Sequence, residues 1–149
     1  MPTGDFAEQL RQAGYSSRTI RPGHVYQLPD SVISFPEANL PRQDGKGVHV
    51  SRYAIVVQAD ESLDDPTHKR VIVVPTSESS LHRKVKPRYG IPLDKGDGNL
   101  PTDCLALVDH VQPVLKTHLK HYCGELSAKK FEELQAVLLL ILGQVPAPS

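Results

Sequence analysis

The sequence predicts a mainly β chain with α: a small barrel of short strands with helices appended. Three observations carry this expectation. Short runs rich in Val and Ile recur, each of strand length and bounded by Gly, Pro or polar residues. Long polar connections separate them. The strongest helical pattern, Ala128 to Leu142, comes near the end of the chain.

At 149 residues the chain has room for one domain with a real core, and its 39% hydrophobic content is that of a soluble protein. Basic and acidic residues balance at 17 each, so bulk charge points to no class of partner. Two cysteines, Cys104 and Cys123, show no C-x-x-C spacing and suggest no secreted disulfide framework. The first twenty residues are mixed polar rather than a charged-then-apolar leader. The longest apolar run, Ala136 to Leu142, is too short to span a bilayer. A cytoplasmic protein with no membrane attachment is the expectation.

Asp5 to Ala13 reads as a short helix, capped by Asp5 and stopped by Gly14. With the polar linker that follows, it forms an extension over residues 1–21, ahead of a domain at 22–143 and a tail at 144–149. Pro22-Gly23 is a turn that opens a strand, His24 to Leu28. Pro29, Pro36 and Pro41 interrupt a loosely strand-like Val32 to Phe35. Leu40 to Val48 is a glycine-containing loop. Tyr53 to Val57 and Val71 to Val74 are strands, joined by the acidic connection Ala59 to Lys69. Ser77 to Arg88 is a basic loop. Tyr89 to Leu93 is a short strand, Asp94 to Asn99 a turn cluster, and Cys104 to Val111 a strand. Leu115 to His121 reads as one short helix or turn. Ser127 caps the terminal helix and Gly143 stops it. Leu139 and Leu140 widen that helix's apolar face, so a second subunit is one way to cover it.

In an antiparallel pair the start of one strand lies beside the end of the next. Arg52 enters the Tyr53 strand, and Thr76 leaves the Val71 strand, so the two should meet at one sheet edge. An arginine fork holds a phosphate by two hydrogen bonds, and a threonine hydroxyl positions one oxygen. Neither is a general base at neutral pH. His49 and Glu78 are the nearest titratable neighbours. Read bare, Arg52 is far better explained as a solvated strand-end charge and Thr76 as an ordinary turn residue. The second candidate is the cluster Arg83, Lys84, Lys86 and Arg88, followed by Tyr89, with Lys46 in the earlier loop. Such charge attracts a phosphate backbone, and a tyrosine can stack on a base. His118, His121 and Cys123 match no common zinc spacing, and no fourth ligand stands out, so no metal or other cofactor is expected. Asp109, a carboxylate inside an apolar strand, needs a partner: a basic residue across the sheet, or a site at the strand end.

From Pro22 onward the chain resembles the MazF/PemK/Kid toxins of toxin–antitoxin systems. RPGHVYQL resembles their opening strand, SRYAIVVQAD the R-P-[AV]-[LIV]-V-[LIV] strand, and RVIVVPTSES the V-[VI]-P-[IVL]-T-S segment. TDCLALVDHVQPVLKTHL and CGELSAKKFEELQAVLLLILG resemble the later strand and the terminal helix. Five motifs in order are more specific than any one. The resemblance implies an SH3-like small barrel, a homodimer, an antitoxin peptide partner and metal-independent cleavage of single-stranded RNA. It puts the family's catalytic residues on Arg52 and Thr76 and its late carboxylate on Asp109. The chain departs from the pattern at Tyr53, where the family has Pro, at His24, where an acid is common, and at Leu107, where Kid-like members carry Arg. The fold is shared with CcdB-like gyrase poisons, which would depend on the terminal helix instead. A catalytically silent RNA- or protein-binding relative is a third class.

Overall fold

The computed structural model describes residues 19–35, 51–78 and 88–143. The expected helix Asp5 to Ala13, the loop Leu40 to Val48 and residues 79–87 of the basic loop lie outside them. Among the described residues seven strands form one curled antiparallel sheet: β1 (His24–Pro29), β2 (Ser51–Val56), β3 (Arg70–Ser77), β4 (Gly90–Leu93), β5 (Cys104–Leu107), β6 (Gln112–Leu115) and β7 (His121–Glu125). Among the described residues one α-helix, α1 (Ala128–Ile141), follows. The path runs β4-β5-β3-β2-β1-β7, with β6 also on β3.

Alternation along β3 shows why the sheet forms. Val71 and Val73 face one apolar cluster with Tyr26, Leu28 and Val56, whereas Val74 faces a second with Val25, Ile55 and Leu134. A period of two therefore buries both faces of β3 from Val73 to Ser77, whereas Arg70 and Ile72 are exposed. Helix α1 covers the second cluster. Ser127 Oγ accepts from the Lys130 amide at 3.2 Å and starts it, while Gly143, at φ +86°, ends it in the left-handed region. Leu134 is fully buried, whereas Leu139, Leu140 and Leu142 are 45%, 49% and 66% exposed.

Three expectations are corrected here. The strand Cys104 to Val111 stops at Leu107, and Val108–His110 forms a 3-10 turn closed by Val111 N–H on the Val108 carbonyl at 3.2 Å. The reason is register. β5 pairs with the end of β3 (Thr76↔Ala106) and β6 with its beginning (Arg70↔Leu115), so the chain follows one edge of β3 with three residues looped out. Second, Val32 to Phe35 is no strand. Pro29 ends β1, and Asp30–Val32 turns in a 3-10 loop with Ile33 N–H on the Asp30 carbonyl. Third, the expected turn at Leu115 to His121 is there but shorter, the 3-10 turn Lys116–His118, and Leu115 and His121 belong to two strands the sequence did not announce.

The acidic β2–β3 connection is tied down from below. Asp60 caps the turn Glu61–Leu63. Lys116, 3% exposed, donates from Nζ to the carbonyls of Ser62 (2.7 Å), Leu63 (3.2 Å) and Asp65 (3.1 Å). Those bonds replace the water an ammonium loses on burial.

Candidate active site

Arg52 and Thr76 meet, as the antiparallel argument requires. Arg52 lies opposite Leu28 of β1. Because β1 ends one residue later, the Asp30 carboxylate turns back over β2 and accepts from Arg52 Nε at 2.6 Å. From the other side, the Thr76 carbonyl accepts from Nη1 at 2.6 Å. The guanidinium carbon lies 4.5 Å from the centre of the Phe35 ring, a cation–π contact. The ion pair is sheltered, with the Arg52 and Asp30 side chains 13% and 16% exposed.

Phe35 is itself held. Its ring centre is 5.2 Å from that of His110, and the Gln112 side chain makes a reciprocal pair with Ser34, accepting from its N–H (2.8 Å) and donating to its carbonyl (3.1 Å). β6 thereby fixes the segment that carries the ring. Thr76 is buried, and its hydroxyl donates to the Tyr53 carbonyl at 2.9 Å. Ser51, Arg52, Tyr53, Thr76 and Glu78 line one small hollow at this sheet edge. Burial first, then the nearby Cys123 and Glu78, push the Tyr53 phenol above its usual range, so it stays neutral.

The arrangement leaves a charged fork aimed by three fixed contacts. A guanidinium carries five N–H groups. Nε–H and one Nη1–H are taken, and among the described residues the rest have no partner. Such a group can grip two oxygens of one phosphate.

The other candidates divide. Glu78 is exposed and shares the hollow. Asp109 is corrected: it stands exposed on the looped-out turn, not in a strand, and its carboxylate meets His110 Nδ1 at 3.1 Å rather than a basic residue across the sheet. Arg88 lies over the Tyr89 ring at 5.4 Å, and that ring packs partly into the core, so its surface is already in use. Neither lines the hollow. His49, Lys46, Arg83, Lys84 and Lys86 lie outside the described residues. His118 lies in the 3-10 turn and His121 in β7. Among the described residues no three His, Cys, Asp or Glu side chains group as a metal site. Sequence reasoning missed Asp30, Phe35, His110 and Gln112. The one signal was that the β1 strand ends just before Asp30.

No curated protein sequence matches this one. Solved structures do, at a level that shows the fold. An endoribonuclease in complex with its cognate antitoxin from a mycobacterial species is 16% identical with a TM-score of 0.58, over 88% of this chain and 99% of that one. MazE–MazF from Deinococcus radiodurans is 15% identical with a TM-score of 0.58, over 85% and 98%. MazF alone from the same organism is 16% identical with a TM-score of 0.57, over 85% and 99%. The family model for the PemK-like, MazF-like toxin of type II toxin–antitoxin systems matches residues 35–142, which span β2 to α1 and both Arg52 and Thr76. The chain belongs to that PemK/MazF-like toxin family.

Proposed function

We propose that this chain is a toxin that cuts single-stranded RNA at short sequences without a metal ion. The observation that supports it is the clamped Arg52 guanidinium, presenting unused N–H groups beside Thr76 in a polar hollow. Names of the structural relatives, an endoribonuclease and MazF, point the same way.

The chemistry follows from the parts. The RNA 2′-hydroxyl attacks the adjacent phosphorus, and negative charge grows on the two non-bridging oxygens. Arg52 answers that charge with fixed N–H donors, the role a metal would otherwise fill. The 2′ proton leaves to a base. Glu78 is the carboxylate that lines the hollow, and His49 is the other nearby candidate. The bond from phosphorus to the 5′ oxygen breaks, and that oxygen takes up a proton. The products are a 2′,3′-cyclic phosphate and a 5′-hydroxyl end. Thr76 contributes its carbonyl, which seats Arg52, and its hydroxyl, which reaches a phosphate oxygen by releasing the Tyr53 carbonyl. The basic residues Lys46, Arg83, Lys84, Lys86 and Arg88 hold the rest of the strand.

Two partners belong to this reading. A cognate antitoxin peptide silences the toxin, as the complexes among the relatives suggest. A second copy covers the exposed leucines of α1, making a homodimer. The site of action is the cytoplasm, and no described helix is long and apolar enough to cross a membrane.

Incubating the protein in EDTA with a diverse set of single-stranded RNAs tests the reading. Fragments ending in cyclic phosphate are the expected result. Intact RNA together with inhibited gyrase would favour the CcdB-like alternative. RNA bound but left whole would mark a silent relative.

A further inference from the structure

We propose that Asp30 is a positioning residue for cleavage, with Phe35 as its companion: together they fix the rotamer from which Arg52 meets the phosphate. The inference rests on the ribonuclease reading of the hollow.

Arginine has a long, flexible stem, and holding it in one geometry costs side-chain entropy that something must offset. At a strand entrance, backbone alone does not do so. Here three contacts act on three different parts of the guanidinium. Asp30 Oδ1 takes Nε–H at 2.6 Å, Thr76 O takes one Nη1–H at 2.6 Å, and the Phe35 ring supports the flat face at 4.5 Å. A planar group held at two edges and one face has no rotation left. What remains is the Nη2 end and one further Nη1–H. The main-chain acceptor belongs to the hollow itself, so it is the Asp30 carboxylate and the Phe35 ring that are side-chain choices.

Both come from one segment that the fold takes trouble to place. Pro29 ends β1, so Asp30 leaves the strand two residues beyond Leu28, the residue opposite Arg52, and its carboxylate can turn back onto that side chain. Gln112 then pins Ser34, one residue before Phe35, through two hydrogen bonds to its main chain. His110 backs the ring, and Asp109 meets His110. The turn that overturned the strand expectation at Asp109 thus has a place in the site: it presents His110 to Phe35. Asp109 acts through that stack and not on the phosphate.

The carboxylate also lowers the net charge beside the phosphate, so Asp30 should do little for ground-state attraction. Its contribution is orientation, which appears in turnover. Misplacement of a catalytic group by an ångström costs about a hundredfold in rate.

The test is a double-mutant cycle on single-stranded RNA cleavage at saturating substrate, with melting curves for each variant. Asp30→Ala should lower kcat roughly 10- to 100-fold with KM changed less than about threefold. Asp30→Asn keeps an acceptor oxygen and should recover most of that loss. Phe35→Leu should lower kcat severalfold. In the Arg52→Ala background, Asp30→Ala should have no further effect on rate, because the group it aims is gone. Equal fractional losses in both backgrounds would overturn the proposal, because they mark a general structural role. Asp30→Ala cleaving at the wild-type rate would overturn it while the nuclease reading stands. Wild-type protein that leaves every RNA whole would overturn the nuclease reading, and the proposal with it.

Discussion

Lys116→Met is the substitution that best separates what holds the fold from what performs the chemistry. Methionine keeps the length of the stem and removes the ammonium. Three carbonyls then lose a donor, but not equally. The Ser62 carbonyl keeps the Asp65 N–H at 3.2 Å, and the Asp65 carbonyl keeps the His68 N–H at 3.0 Å. The Leu63 carbonyl has no other partner among the described hydrogen bonds. An orphaned buried carbonyl costs about 1–3 kcal/mol, and the lost charge-assisted bonds add to it. Against this stands relief of the ammonium's lost hydration, the burial that pulls the Lys116 pKa down. The net expectation is a loss of about 2 kcal/mol, or a fall in Tm of roughly 4–8 °C for a chain of this size. Urea unfolding should show a lower midpoint at an unchanged slope. The lowered pKa adds a second signature. The unfolded chain holds the Lys116 proton more tightly than the folded one, so wild-type stability should rise with pH in the window just below 10.5. The variant should lack that slope. RNA cleavage should be unchanged, because the connection closes the β2–β3 hairpin at the end away from Arg52. A midpoint equal to wild type, or a more stable variant, would refute the reasoning: the ammonium's desolvation would then outweigh what it holds together.

Three further outcomes are expected. Thr76→Ala should lose roughly tenfold in cleavage rate, the worth of one hydrogen bond, while Thr76→Ser keeps most of it; kinetics at saturating RNA checks both. Neutralising Arg83, Lys84 and Lys86 together should weaken RNA binding and flatten its salt dependence with little change in turnover, as titrations at several salt concentrations would show. Burial first, then Lys120, lowers the His118 pKa from 6.5, so the unfolded chain protonates first and stability should fall as pH drops through 6.5. His118→Gln should flatten that part of a melting-temperature profile.

What was legible in the sequence follows from how each feature is encoded. β2 and β3 announce themselves as Val- and Ile-rich runs, and β1, β4 and β5 as short apolar stretches beside turn residues. β6 and β7 do not. Gln112–Leu115 contains Pro113, tolerated because β6 pairs only with β3, and His121–Glu125 (HYCGE) has no apolar alternation. The meeting of Arg52 and Thr76 was legible because a hairpin brings its two open ends together whatever the loop. Asp30 was not, since it reaches Arg52 only through the β1–β2 register and the early end of β1. Nor was the Asp109 turn, because three extra residues show only when both halves are counted against β3.

The central claim is that Arg52 binds the charge that grows on phosphate. Its most direct test is the single-turnover cleavage rate of wild-type and Arg52→Ala protein on one single-stranded RNA, in EDTA, at saturating protein. The expected result is a loss of roughly a hundredfold or more in a folded variant whose RNA affinity changes far less. Cleavage by Arg52→Ala at the wild-type rate would contradict it and move the chemistry away from this sheet edge.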